Sequence, residues 1–464
     1  MVTTSLNVSS LHERLQALLR GTDAHATAQR AALFAFGIRV VSAGIAFASQ
    51  VFLARWIGAF EFGIFAYVWV WVFILGSLST CGLNTSALRF IPDYRESSQF
   101  NLLRGFVNAS RLTVVSASTV LAIIGVGLLM SIDGLVSDYY IVPLILGAIC
   151  LPMFALTDLQ DGISRTYGWI DLALAPPYII RPLLLLIFFA MAILSGAEAS
   201  GQTAILSMIG ATWIAAIGQT LLLTKRLEGE IEPVEKSYDY GFWIKISMPI
   251  MMVDGFYILM THTDIVILNL FSNPEDIAIY YAGVKTISLV SFVYFAVVAA
   301  QMHKFSALHA DGKTEQLDAL LRESITWIFW PSLLAAVVIL ALGLPLLNLY
   351  GPEFSRGLSV MAILAIGLLV RAAFGPLEFV LNVLGQQKFS AVVLFSAVAL
   401  NIGLNFLLIP AFGLEGAAIA TTLTVIYVCS LLFLVAKTRL GLHSFIIGNA
   451  FGLRRQRSEA SADV

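Results

Sequence analysis

The chain has 464 residues, 59% of them hydrophobic and 12% charged, with a formal net charge of −2 and a mean hydropathy of +0.87. Soluble domains carry about 25% charged residues, so most of this chain must face lipid rather than water. The near-neutral balance points to no nucleic-acid partner. Cys81, Cys150 and Cys429 are too scattered for a disulfide framework or a metal site.

Residues 1–30 lack the apolar core of a signal peptide and carry Glu13 and Asp23. Ser10-Leu11-His12-Glu13 fits a capping box, and Leu11, Leu15, Leu18 and Leu19 share a helical face. The expectation is a short helix on the cytoplasmic membrane surface. A membrane helix needs about 20 mostly apolar residues. Twelve such runs follow: 31–53, 63–86, 112–131, 140–160, 172–194, 203–223, 243–270, 278–301, 324–347, 357–381, 389–410 and 415–436. They are too long and continuous for β-barrel strands. With both termini in the cytoplasm, almost every loop Lys and Arg falls on the cytoplasmic side, leaving Arg55 and Arg356 outside.

The run LARWIGAFEFGIFAY, Leu53 to Tyr67, interrupts the apolar pattern with Arg55, Gly58, Glu61 and Gly63, and reads as a tight outer turn. At an offset of 215 residues it falls on LNLFSNPEDIAIYYA, Leu268 to Ala282. Arg89-Phe90 then falls on Lys304-Phe305, Gly168 on Gly385 at offset 217, and Gly201 on Gly416. The near-constant offset predicts an all-α integral membrane protein of about twelve transmembrane helices, in two pseudo-symmetric six-helix halves around a central cavity. The expected division is a cytoplasmic segment 1–30, halves 31–230 and 231–436 joined by an acidic linker (Lys225–Asp239), and a basic cytoplasmic tail 437–464. An even number of spans per half gives a parallel repeat, a common plan in transporters.

LARWIGAFEFGIFAY, GLNTSALRFIP (Gly82–Pro92) and the segment Leu381–Thr424 with Gly385-Gln386, Asn401, Asn405, Pro410 and Gly413-Leu414-Glu415-Gly416-Ala417-Ala418 resemble the polysaccharide flippases of the multidrug/oligosaccharidyl-lipid/polysaccharide superfamily. Trp56 and Phe60 depart from the smaller or polar residues of many members. Twelve spans are fewer than peptidoglycan-precursor flippases usually have. The resemblance implies a polyprenyl-pyrophosphate-linked oligosaccharide as substrate, moved from the inner to the outer leaflet of a bacterial inner membrane for O-antigen, capsule or exopolysaccharide synthesis. Polysaccharide polymerase and chain-length proteins are then candidate partners.

Arg39, Arg181, Lys285 and Arg371 fall well inside predicted spans, where a cation costs about 2.5–3.5 kcal/mol and normally faces a cavity or a partner. They are the candidate substrate-binding cations, with arginine suited to bidentate phosphate contact. Asp158, Asp161, Asp254, Asp264 and Glu378 are the candidate coupling or ion-pairing acids. The repeat maps Arg39 onto Asp254 and Asp161 onto Glu378, and Arg39 is expected to face Asp254 across the cleft. Asn84, Gln301, Asn382, Asn401 and Asn405 are candidate sugar contacts or interhelical links. Pro176, Pro177, Pro182 and Pro249 predict kinks. Neither a nucleotide nor a metal site is expected: Asp311-Gly312-Lys313-Thr314 lacks the earlier phosphate-loop glycine, and His262-Thr263-Asp264 has no further ligand at a fixed spacing. The segment Asp311-Gly312-Lys313-Thr314 reads as a turn before an amphipathic cytoplasmic helix carrying Leu317, Leu320 and Leu321. No cofactor or catalytic set is expected. The alternatives are a cation-coupled multidrug exporter of the same superfamily, or a membrane glycan polymerase or ligase, which usually needs a large outer loop.

Overall fold

The computed structural model describes residues 24–131, 136–231, 233–310, 313–442 and 445–446. The expected interfacial helix and most of the basic tail lie outside them. Among the described residues the regular elements are all helical: α1 (Ala24–Ser79), α2 (Leu83–Glu96), α3 (Phe100–Ser131), α4 (Asp138–Thr166), α5 (Ile170–Leu194), α6 (Gly201–Glu230), α7 (Tyr240–Phe271), α8 (Pro274–Ile287), α9 (Ser291–Ala310), α10 (Thr314–Ala341), α11 (Gly343–Asn348), α12 (Gly357–Phe374), α13 (Leu377–Val383) and α14 (Gln387–Leu440). Short 3-10 segments precede α9 and α12.

Among the described residues, ten candidate spans are long and apolar enough to cross a membrane. Two of them carry a glycine break between predicted spans. In α1 it is Gly58, with φ 79 and ψ 169; in α14 it is Gly413, with φ 57 and ψ −127. The opening interruption in the sequence is therefore a one-residue break. Gly63, read above as a second turn residue, instead lies buried inside the helix. The predicted span 63–86 is also too long: α1 ends at Ser79, and left-handed Gly82 starts the separate helix α2. The predicted amphipathic segment after 314 is continuous with the next span in α10, and its Leu317 and Leu321 are core residues. The prolines around Arg181 do distort the chain, with Pro176–Ile180 forming a π-turn within α5. One repeated pair shares its backbone geometry: Gly168 and Gly385 have φ 70 and φ 75.

Gly58 lies in a region of backbone space open essentially to glycine, and nothing lies within 4 Å of an added Cβ. Gly58→Ala should therefore cost about 1–3 kcal/mol through backbone strain alone. The thermal midpoint of the purified protein should fall. Gly125→Ala, in a lipid-facing helix with equal free space, should leave it unchanged or raise it.

The apolar core divides along the helix axes. Toward the Gly58 face a single cluster holds residues from both halves, including Leu53, Phe62, Phe65, Leu268, Tyr280, Tyr350, Phe354 and Leu414. Toward the opposite face, where the linker runs, there are two clusters. One joins Leu83, Phe90, Phe106, Leu159 and Trp243; the other joins Phe305, Leu317, Leu321, Ile325, Leu381 and Leu432. Glu61 adds a polar tie at the Gly58 face, where its Oε2 accepts from the backbone N–H of Gly201 at 2.6 Å. This satisfies one of the orphan donors at the start of α6.

Candidate functional site

The cations of the membrane interior are held largely by aromatic faces. Arg181 starts the last segment of α5, just after the π-turn. Its guanidinium lies 5.0 Å from the Trp69 ring and 5.3 Å from the Phe154 ring. Lys285 of α8 lies 5.0 Å from the Tyr281 ring. Arg371 of α12 lies 4.7 Å from the Tyr294 ring. Such contacts contribute ~2 kcal/mol or more when water is excluded, and they leave a guanidinium edge free to donate.

Arg371 also faces Glu378, at 4.0 Å from Nη2 to Oε2. Gly375, with φ 71, ends α12 between them, so the chain turns and α13 returns Glu378 to the arginine. Both side chains line a cavity of ≈ 440 Å³, its open mouth included, with Tyr257, Tyr294, Phe374 and Cys429 among the other walls. An ion pair this long is loosely closed, and its arginine has room to accept a different anion.

A second polar cluster lies where α2 and α4 meet α7. The Asn84 amide donates to Asp158 at 3.2 Å. The neighbouring Thr85 hydroxyl donates to Asp254 at 2.8 Å. Asp161 pairs with Arg165, one helical turn on, at 2.5 Å. Asp158 is within electrostatic reach of Asp161, Arg165, Asp254 and Arg181. Asp264 stands apart in the shared core, where it accepts from Tyr280 Oη at 2.5 Å, the Ile265 N–H at 2.8 Å and Thr421 at 3.4 Å. These bonds tie α7 to α8 and α14.

The structure thus brings Arg371 to Glu378, and Asp158 close to Asp161, Asp254 and Arg181. The Arg39 side chain lies outside the described residues, so the expected Arg39–Asp254 pairing has no described geometry. Asp254 accepts from the Thr85 hydroxyl. Asn401 and Asn405 are fully buried; the Asn401 amide donates to Thr424 across the Gly413 break and so links the two spans of α14, while the Asn405 amide donates to Asn401 one turn back in the same span. Gln301 accepts from Ser324. Arg165, which was not among the candidate cations, pairs with Asp161. Trp69, Phe154, Tyr257 and Tyr294 were missed by a search for charges. The usable signal was an aromatic residue at similar depth to each lone cation. Among the described residues no group of His, Cys, Asp and Glu is placed to hold a metal ion.

The family model described as polysaccharide biosynthesis protein matches residues 30–302, and the MatE model matches residues 249–407. An uncharacterized membrane protein of Methanocaldococcus jannaschii is 21% identical over 82% of this chain and 78% of its own. A probable low-salt glycan biosynthesis flippase of Haloferax volcanii is 25% identical over 35% of this chain and 34% of its own. Among solved structures, the inward closed conformation of the lipid II flippase MurJ superposes with a TM-score of 0.69 at 15% identity, covering 88% of each chain. An inward-facing multidrug resistance MATE transporter gives 0.68 at 13% identity, covering 86% of this chain and 94% of that one. These likenesses show the fold alone, a multi-helix membrane fold shared with transporters of the MOP superfamily. The match over more than half of the sequence gives the family: this chain belongs to the polysaccharide biosynthesis protein family.

Proposed function

We propose that this protein moves a polyprenyl-pyrophosphate-linked oligosaccharide from the inner to the outer leaflet for polysaccharide biosynthesis, by alternating access. The observation that carries the reading is a family member with Arg371 in the wall of an intramembrane cavity, opposite an acid that a phosphate can displace. Arg181 and Lys285, backed by aromatic rings, provide further cations for a charged headgroup crossing the bilayer. The lipid tail stays in the bilayer. The acids Asp158, Asp161, Asp254 and Glu378 are the candidates for balancing charge during the cycle.

The single core at the Gly58 face and the divided core at the linker face support entry from the linker side. The Lys and Arg distribution makes that side cytoplasmic. In a bacterium the membrane would be the inner membrane, and a polymerase with chain-length proteins would use the product outside. Deletion of the gene should remove the surface glycan and cause lipid-linked units to accumulate in the inner leaflet. The MatE match favours a second reading, a cation-coupled multidrug exporter. Normal surface glycan with new drug sensitivity in the deletion strain would select that reading instead.

A further inference from the structure

The first helix of the C-terminal half does not pack with one half along its length. Its linker-end residues are held by the N-terminal half. Trp243, only 2% exposed, belongs to the cluster of Phe90, Phe106 and Leu159, and its indole N–H donates to Tyr94 at 2.8 Å. The hydroxyls of Ser247 and Ser86 lie 2.7 Å apart. A Cβ on Gly82 would lie 2.4 Å from the Ser247 carbonyl oxygen and 2.7 Å from the Met251 nitrogen, so the two backbones are in direct contact. Asp254 accepts from Thr85, and a Cβ on Gly255 would meet Leu78.

The linker leading into α7 is strapped to the same half. The Ser237 N–H donates to the Asn101 carbonyl at 3.0 Å, Arg104 donates to the Val234 carbonyl at 3.0 Å, and Gly105 leaves room for the Ser237 carbonyl. From Phe256 onward the principal partners change. Phe256 packs edge-on against Phe395, Tyr257 and Met260 line the Arg371 cavity, Asp264 joins Tyr280 and Thr421, and Phe271 packs against Phe406. His262 and Asn269 reach back, to Phe73 and Tyr67, within the core that both halves share. On the linker side, Ile244, Met248 and Met252 are exposed.

We propose that the linker-end part of α7, Tyr240 to Gly255, moves with the N-terminal half, and that α7 bends at Gly255 when the halves rock. Glycine lowers the cost of bending within a helix, and helix kinks concentrate at such residues and at proline; Pro249 has already removed one hydrogen bond from this segment. The two halves by sequence are therefore not the two moving bodies. This inference rests on the alternating-access reading above, and its test separates the two.

In a cysteine-free background that supports glycan export, Ser86→Cys with Ser247→Cys should crosslink, and the crosslinked protein should export at an unchanged rate. A short bifunctional maleimide joining Phe62→Cys to Tyr281→Cys, across the Gly58 face, should stop export. Loss of export on linking positions 86 and 247 would overturn the proposal. A measurement independent of activity uses spin labels in nanodiscs, on exposed Ile244 paired with exposed Leu112 of α3 or exposed Val392 of α14. The expected result is a narrow distance distribution for 244–112 and a broad or two-peaked one for 244–392. The reverse pattern, or two narrow distributions, would refute the hinge even where the flippase reading stands. Normal glycan in the deletion strain would remove the flippase reading while the spin-label result still tests the hinge.

Discussion

Replacing Arg371 by alanine should abolish glycan export and also destabilise the protein. The loss leaves Glu378 facing a mostly apolar cavity wall without its cation. Removing one partner of a buried pair costs about 3–5 kcal/mol. Both side chains retain roughly a quarter of their exposure, 28% and 26%, which puts the expected cost at the lower end of that range or below it. The informative variant is the double one. Arg371→Ala with Glu378→Ala removes the uncompensated charge, so the thermal midpoint should recover. Export should not, because the phosphate contact is still missing. Arg371→Lys should fall between, since lysine keeps the charge but loses the planar face on Tyr294 and the paired donors. Recovery of export in the double variant would reduce the pair to a structural contact.

Substitution at Gly63 should produce the largest conformational effect. A Cβ there would lie 1.8 Å from the Pro274 carbonyl oxygen and 2.4 Å from its carbon. These are backbone atoms at the start of α8, and a rotamer change cannot relieve the clash. The two helices must separate, at a cost beyond the usual 1–3 kcal/mol of overpacking. The separation falls where Phe62 packs against Tyr281 and Phe354, in the large core cluster toward the Gly58 face that draws on both halves. Gly63→Val should therefore raise the reactivity of Tyr281→Cys toward a membrane-impermeant thiol reagent added from outside, and should lower the thermal midpoint. Unchanged labelling with unchanged stability would show that α1 and α8 do not form the seal at this face.

The fold was legible where the chain had to break its apolar pattern. Gly58 and Gly413 each mark a break between two spans, and each falls in a short interruption between two apolar runs. The length of the span after Gly58 was not legible. Ser79 to Leu83 are as compatible with a continuing helix as their neighbours, and left-handed Gly82 is fixed by the backbone of α7 pressing on it. The charged residues of the site were legible because a charge in a membrane span is costly. Their partners were less so. Arg181 is satisfied by Trp69 and Phe154, which look like ordinary lipid-facing or core aromatics in sequence. Asp264 is satisfied by hydroxyls of Tyr280 and Thr421, from two different helices. The repeat paired Asp161 with Glu378, and the structure gives each an arginine, but by different routes: Arg165 lies one turn along the same helix, while Arg371 lies across the break at Gly375. The attachment of the start of α7 to the other half was invisible, because it depends on contacts such as Trp243 with Tyr94 between residues far apart in sequence.

The most direct test of the central claim is translocation by the purified protein in vesicles containing a polyprenyl-pyrophosphate-linked oligosaccharide. Exposure of the sugar on the opposite leaflet is read by an enzyme or lectin that cannot cross the membrane. The account predicts rapid, protein-dependent exposure that Arg371→Ala eliminates. A rate equal to that of empty vesicles, in a preparation that transports cationic drugs, would contradict it.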